Sequence, residues 1–456
     1  MPRLAILALS LLMAVPAAAQ VTDALCHATG GDEIPSRDRS GPTPSGLANT
    51  FDGLFSHFLR DALQLAGNPG QHGTHYLEAA CIAESVVVPA LSSFIASNIT
   101  SFPSSTPQIG VTYDFSTGVP VRQVESFGPI FSETPGTIGR NRLTLGANVS
   151  VLTLDRVRGE PLAGVEFNFV HLNVEGETRF ESDLLVVRPR LNVDATIYGL
   201  FANYGITDRL EVGVAIPVVS VRLEGRAEAQ IFPYSGGNPN LHIFGGTLDS
   251  PLLQADYSYE RAETFVPAVD VRAKVQIPTQ GASLGVIGTL SIPASTAGSL
   301  LGERRLGGRL AIIGSTVIFG DLTPHVNVAY DRRGTAGETD VALVNVGLDA
   351  NLSPKVNLAG ALLGSIPLGS SIRFYSTTEA LGAPGSAVQV VNTHTGIVEE
   401  QLSTIGDDGD ATLLLSVGSR FAPTEQVQGF LNVIVPVLSG GLQSTLVPTL
   451  GVSVSL

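Results

Sequence analysis

The chain has 456 residues, 50 of them glycine, with 15% charged residues, no tryptophan and a mean hydropathy of +0.27. That balance is too apolar and too poor in charge for an ordinary set of soluble domains, although the length would allow two or three of them or one large barrel. A net charge of −15 excludes nucleic acid as an expected partner.

In chain order, Arg3 precedes an apolar run from Leu4 to Val15, followed by Pro16 and Ala17-Ala18-Ala19. This is a secretory signal with an A-x-A site, so residues 1–19 are expected to be cleaved after Ala19. No other uninterrupted apolar stretch approaches about 18 residues, the minimum for a membrane-crossing helix. The nearest, 86–99, carries Pro89 and several polar residues. A helical membrane protein is therefore not expected.

Residues 20–105 read as a helical segment. Leu47, Phe51, Leu54, Phe55, Phe58, Leu59, Ala62 and Leu65 recur at helical spacing over 45–67. Gly67-Asn68-Pro69-Gly70 ends that helix, and a second runs over roughly 73–98 with a bend at Pro89. Ahead of a barrel, such a segment would plug the lumen, lie on the inner leaflet or hang in the periplasm. Cys26 and Cys81, the two cysteines of an exported chain, are expected to form a disulfide. His72, His75, Glu78 and Cys81 recur every third residue and so drift round a helix of about 3.6 residues per turn. Neither a metal site nor a cofactor is expected there.

Residues 106–141 read as a small hairpin and linker, and 142–456 as the barrel. Over 209–218, Leu210, Val212, Val214, Ile216 and Val218 share one face, opposite Arg209, Glu211, Gly213, Ala215 and Pro217. The same period of two appears in 142–152, 190–199, 265–278 and 426–437. A soluble sandwich also alternates, but its polar face is usually rich in Lys and Glu; here that face is mixed and full of small residues. Strands are expected near 142–154, 190–204, 208–224, 263–277, 282–293, 306–319, 323–332, 340–352, 355–367, 411–422, 426–437 and 443–456. Short links at 206–208, 278–281, 320–323, 353–354 and 422–425 alternate with long ones at 155–189, 225–262, 294–305, 333–339 and 368–410. The last link, 439–443, is short.

Short turns at one rim and long loops at the other are the pattern of an antiparallel transmembrane β-barrel, here of about 12 strands, with ten or fourteen left open by strand-like pieces in 160–187 and 370–395. On this phasing Val212, Val214, Val269, Val271, Val433 and Val435 face lipid. Arg190, Asn192, Asp194, Asp270, Arg272, Lys274 and Asn432 face the lumen, a mixed-charge wall without strong ion selectivity. Pro217, Pro293, Pro367 and Pro436 fall toward the loop-side ends of strands rising from short turns, where water or a bulge can meet a lost ladder donor. The long loops carry Phe232, Tyr234, Phe244, Tyr257 and Tyr259, candidates to receive an apolar or aromatic solute outside. Asp407, Asp408 and Asp410 read as a solvated loop, lacking the full spacing of a calcium loop. No Ser-His pairing is identifiable from spacing, so no catalytic residue and no enzyme activity are expected.

The stretch NYGITDRLEVGVAIPVV (203–219) resembles the signature hairpin of outer-membrane barrels of the phenol meta-pathway degradation transporter-like family. Residues 100–146 resemble a block that precedes the barrel in related exported bacterial proteins, its middle a small hairpin of 111–115 and 119–124. Such barrels usually end in Phe or Trp, whereas this chain ends Val452-Ser453-Val454-Ser455-Leu456. The resemblance implies passive passage of small molecules, hydrophobic or aromatic ones among them, across the outer membrane. The alternatives are a structural or ligand-binding surface barrel and, after that, an outer-membrane hydrolase. The expected partners are outer-membrane lipid, the barrel-assembly machinery and a small solute, and the expected state is a monomer. Part of 20–140 is expected at or inside the periplasmic mouth, gating passage.

Overall fold

A computed structural model describes residues 45–66, 80, 83–100, 102, 112–114, 121–123, 130–170, 183–233, 241–279, 282–296, 298–302, 304–318, 322–333, 339–369, 390–391, 398–399, 405, 409–424 and 426–456. The expected disulfide, the histidines of 72–75, Asp407 and Asp408, and Tyr234 lie outside these residues.

Twelve antiparallel strands close into one barrel. They are β1 (Leu143–Val157), β2 (Leu191–Gly205), β3 (Leu210–Phe232), β4 in two pieces (Gln254–Phe265 and Ala268–Ile277), β5 (Ser283–Pro293) and β6 (Gly307–Ser315). Then come β7 (Leu322–Arg332), β8 (Val341–Ser353), β9 (Val356–Pro367), β10 (Thr412–Phe421), β11 (Val427–Pro436) and β12, again in two pieces (Leu442–Ser444 and Val447–Ser455). Closure is made by β12 against β1, with Leu450 opposite Val149 and Val454 opposite Leu145. The ladder runs to the last residue: Leu143 and Leu456 exchange both backbone hydrogen bonds, at 3.1 and 2.8 Å.

β3 shows why these residues make this wall. From 210 to 218 the even positions face outward, and they are Leu, Val, Val, Ile and Val; inward are Glu211, Gly213, Ala215 and Pro217. At Val219 the pattern inverts. Val219, Val221, Leu223, Ala227, Ala229 and Ile231 point inward and are buried, while Arg222, Glu224, Arg226 and Glu228 point outward. β2 inverts at the matching height, with Leu191, Val193, Ala195 and Ile197 inward and Asn192 and Asp194 outward. The outward apolar band is thus about nine residues tall, the span of a tilted strand across a bilayer core. Outward aromatics mark its edges, Tyr198 and Tyr330 on the long-loop side and Tyr204 and Phe421 on the short-turn side.

Above the band, 225–232 and 254–262 continue as strand, where a loop is expected from the sequence. Ala229 pairs with Ala255 and Arg226 with Ser258. Cross-strand ion pairs, Arg226–Asp256 at 2.7 Å and Arg222–Glu260 at 3.0 Å, decorate the outer face of this extension. Pro293, Pro367 and Pro436 each end their strand at the upper edge of the band. Pro217 lies at that height inside the longer β3, where the pairing with β4 steps by one residue, from Ala215–Asp270 to Val219–Phe265. The donor that proline lacks therefore meets a bulge rather than a regular rung.

Two helices complete the described core. α1 (Gly46–Ser56) is capped by the Ser45 hydroxyl, which accepts from the Ala48 N–H at 3.1 Å, and it continues as a π-helical turn, His57–Asp61. α2 (Val88–Thr100) follows a π-helical turn, Ala83–Val87. Thr112–Asp114 and Val121–Gln123 pair antiparallel.

Candidate functional site: the lumen and the chain inside it

The inverted alternation leaves an apolar inner face on the long-loop half of the barrel. Apolar surface inside a wall must be covered by something other than lipid, and the N-terminal helices cover it. Leu47, Phe51, Leu54, Phe55, Phe58, Phe94 and Ile95 are all at most 1% exposed, in one core with Leu152, Val193, Val221 and Ile434 of the wall. Phe55 meets Phe167 and Phe169 edge-on at 5.5 and 5.7 Å between centroids. The start of α1 is fixed to the long connection after β5, with Gly46 N and Leu47 N each donating at 2.9 Å to Ser299 O and Leu300 O. The helices therefore sit in the long-loop half, not at the short-turn mouth.

Residues 130–141 occupy the short-turn half. Ile130, Phe131, Ser132, Thr137 and Ile138 are all buried. Wall glycines make room for this segment. A Cβ on Gly285 would lie 3.1 Å from Pro135 Cα, and one on Gly205 would overlap the Gly139 carbonyl. At its lower end the Thr137 hydroxyl donates to Asp208 O at 2.8 Å, and Ile138 N donates to a Glu211 carboxylate oxygen at 3.0 Å. Asp208 lies in the short turn between β2 and β3, so the segment ends at that rim and turns directly into β1.

Around this segment the wall is polar on strand after strand. Asn203, Glu211, Lys274, His325, Asp349, Asn357, Arg420, Gln428 and Asn432 point inward and are buried. The densest contact is ionic. Arg272 donates two-pronged to Glu133, Nη1 to Oε1 at 2.8 Å and Nη2 to Oε2 at 3.2 Å. Lys274 Nζ lies 3.9 Å from Glu133 Oε2 and 3.8 Å from Glu211 Oε1, and donates to Thr134 O at 3.4 Å. Buried cations are tolerable because each faces a carboxylate.

Of the residues expected in the lumen, Asp270, Arg272, Lys274 and Asn432 do point inward. Asp270 accepts from the Ser291 hydroxyl at 2.6 Å, and Asn432 from the Ser416 hydroxyl at 3.0 Å. Arg190, Asn192 and Asp194 correct the expectation. They lie on the outer face above the apolar band, Arg190 paired with Glu228 at 2.9 Å and Asp194 accepting from Thr153 at 2.8 Å. The reason is the inversion in β2, where polar residues outside the band meet water or lipid headgroups. The loop aromatics are corrected too. Tyr257 stacks on His57 at 4.8 Å, Phe244 packs edge-on to Phe58 at 6.2 Å, and the buried Tyr259 hydroxyl donates to Pro189 O at 2.7 Å. Burial raises the Tyr259 phenol above its ordinary pKa. Phe232 is half-buried opposite Leu184. Tyr257 and Phe244 thus pack on α1 and its π-helical turn, and Tyr259 is tied to the wall.

Glu133, Glu211, His325, Asp349 and Arg420 are lumen residues that the sequence reading did not single out. Four of them carry a signal, since each is a polar residue at the inward position of an alternating strand. Glu133 carries none, being in an irregular segment.

A cavity of roughly 190 Å³ lies in the long-loop half, between α2 and strands β6 to β12. Phe94, Phe131, Leu363, Leu414 and Ile434 line one side and Arg309, Asp331 and Asn345 another. Arg309 and Asp331 pair at 2.8 Å. The Phe102 and Phe131 rings, 6.4 Å apart and nearly perpendicular, stand at its plug side.

No family model matches the sequence, and no curated protein does. Among solved structures the chain is similar to an outer membrane channel from Pseudomonas putida F1, at 11% identity and a TM-score of 0.40 over 71% of this chain and 99% of that one. It is similar to the CymD monoaromatic hydrocarbon channel at 9% identity and TM-score 0.33, over 70% and 89% of the two chains. It is also similar to the NanC porin at 8% identity and TM-score 0.34, over 68% and 100%. At such values the likeness is one of barrels alone.

Proposed function

We propose that the protein is a monomeric outer-membrane channel for passive passage of small molecules, hydrophobic or aromatic ones among them, and that the structure is its closed state. The observation that carries this reading is the polar lining of the short-turn half. A wall meant only to be filled would gain from apolar side chains there, as the long-loop half does, because burying polar groups costs free energy unless they are paired or hydrated. Polar lining on strand after strand suits a passage that fills with water once 130–141 moves. Export by a cleaved signal, insertion by the barrel-assembly machinery and the resemblance of 203–219 to the phenol meta-pathway transporter-like barrels belong to the same reading. The filled lumen favours a second reading, a structural or ligand-binding surface barrel that passes nothing.

Conductance in planar bilayers separates the two. Deleting 20–141, the helices together with the segment that crosses the short-turn half, from a barrel that still folds is expected to raise single-channel conductance over the full chain. If neither the full chain nor the deletion conducts, the channel reading is wrong; if both conduct equally, the chain inside the lumen has no gating role.

A further inference from the structure

We propose that Arg272 and Lys274 form a binding site for the carboxylate of a small organic acid, and that Glu133 fills this site in the closed state as the chain's own stand-in. The proposal rests on reading the lumen as a passage. The guanidinium of Arg272 presents its two terminal nitrogens to the two Glu133 oxygens at 2.8 and 3.2 Å. That fork-to-fork geometry is how arginine recognises a carboxylate, and it specifies the planar head rather than a bare negative charge. Lys274 adds a second cation 3.9 Å from one of the same oxygens.

The two partners differ in how they are held. Arg272 and Lys274 belong to β4, whose ladders to β3 and β5 are continuous through both residues. Glu133 belongs to an irregular segment that crosses the lumen. Its lower end is tied to the wall by hydrogen bonds from Thr137, Ile138 and Arg140 to Asp208 and Glu211. The carboxylate of the wall itself, Glu211, stands 3.7 Å from Arg272 and 3.8 Å from Lys274, outside hydrogen-bond reach of both. The wall therefore holds a two-pronged donor whose bidentate acceptor comes from a segment outside the strand ladders. An incoming carboxylate offers the same two oxygens and takes the place of Glu133 without stranding a buried cation.

A separate cavity, lined by none of Glu133, Arg272 and Lys274, bounds the apolar body of a ligand on its way to the site. Phe131, two residues from Glu133, lines it. Its volume of roughly 190 Å³ somewhat exceeds the roughly 150 Å³ apolar cavity known to hold a benzene ring. An acid whose apolar body is about one ring in size fits that space, and its carboxylate would meet the Glu133 position next on the way through.

The test uses full-length protein in detergent, with benzoate as the probe and benzyl alcohol as its neutral counterpart. Glu133→Gln keeps the side-chain shape but removes the charge and one of the two acceptor oxygens that Arg272 engages. Removing a competitor raises apparent affinity by the inverse of the free-site fraction, so benzoate is expected to bind Glu133→Gln at least about tenfold more tightly than wild type, with benzyl alcohol unchanged. Adding Arg272→Gln is expected to abolish the gain, and Arg272→Lys to restore part of it. A second measurement needs no variant: in wild type, benzoate but not benzyl alcohol is expected to speed backbone hydrogen exchange across 130–139. Equal benzoate affinity in wild type and Glu133→Gln, a gain indifferent to Arg272, or exchange in 130–139 that benzoate leaves unchanged overturns the proposal. Conductance in potassium chloride without benzoate tests the channel reading separately. Conduction without benzoate binding sinks only this site, and benzoate binding without conduction sinks only the channel.

Discussion

Phe55→Ala tests whether the N-terminal helices are a separable filling of the barrel or part of its stability. Phe55 is 1% exposed and meets two rings, Phe167 at 5.5 Å and Phe169 at 5.7 Å. Truncating such a phenylalanine costs roughly 3–5 kcal/mol, from lost transfer energy plus the cavity left behind, and its edge-on ring pairs are included in that figure. None of this is invested in the strand ladders, which pair through backbone. The loss is therefore expected in the local opening of 46–61, not in unfolding of the wall. At about 1.4 kcal/mol per factor of ten, amide exchange in α1 should speed roughly a hundredfold to several thousandfold. Exchange in β5 to β8 should stay within error of wild type. Hydrogen-exchange mass spectrometry in detergent reads both regions in one experiment, with Asn49→Ala, on the exposed side of α1, as the control. Unchanged protection in 46–61, or an equal loss in β5 to β8, would refute the division of the core into wall and filling.

Four further outcomes follow from the geometry. Val271→Arg puts a charge on the lipid face and is expected to cost roughly 2–4 kcal/mol, seen as a lower yield of heat-resistant barrel on refolding into vesicles. Lys274→Glu is expected to be no milder, at roughly 3–5 kcal/mol, because Lys274 is 1% exposed beside Glu133 and Glu211; wild-type yield would show that the pairing is wrong. Gly205→Ala is expected to push the threaded segment off the wall, since a Cβ there overlaps the Gly139 carbonyl, and faster exchange confined to 136–141 checks it. Cys26 and Cys81 are expected to resist alkylation in non-reduced protein, and reduction should lower stability by about 4 kcal/mol for a loop of this length; two thiols reacting without reductant would end that expectation.

The strands and their phase within the lipid band are written in the sequence. Leu210 to Val218 and Val269 to Val275 alternate because a period of two and a lipid-facing side impose a local rule, and register follows from it. The positions of Pro293, Pro367 and Pro436 are legible for the same reason. What lies above the band follows another rule. Arg190, Asn192 and Asp194 look like lumen residues if the apolar-outward rule of the band is carried upward, yet apolar side chains turn inward once lipid ends and a core begins. That switch is visible in the adjacent Val218 and Val219, but its meaning depends on what covers the inner face. The cover comes from residues 46–100, which no local pattern ties to Val193 or Val221. Glu133 and Arg272 stand 139 positions apart, and nothing periodic marks the acid. A strand's own period tells which side chains share a face; only closure of the barrel decides what that face encloses, because the partner is chosen by shape and charge across a lumen that does not exist until the last strand pairs with the first.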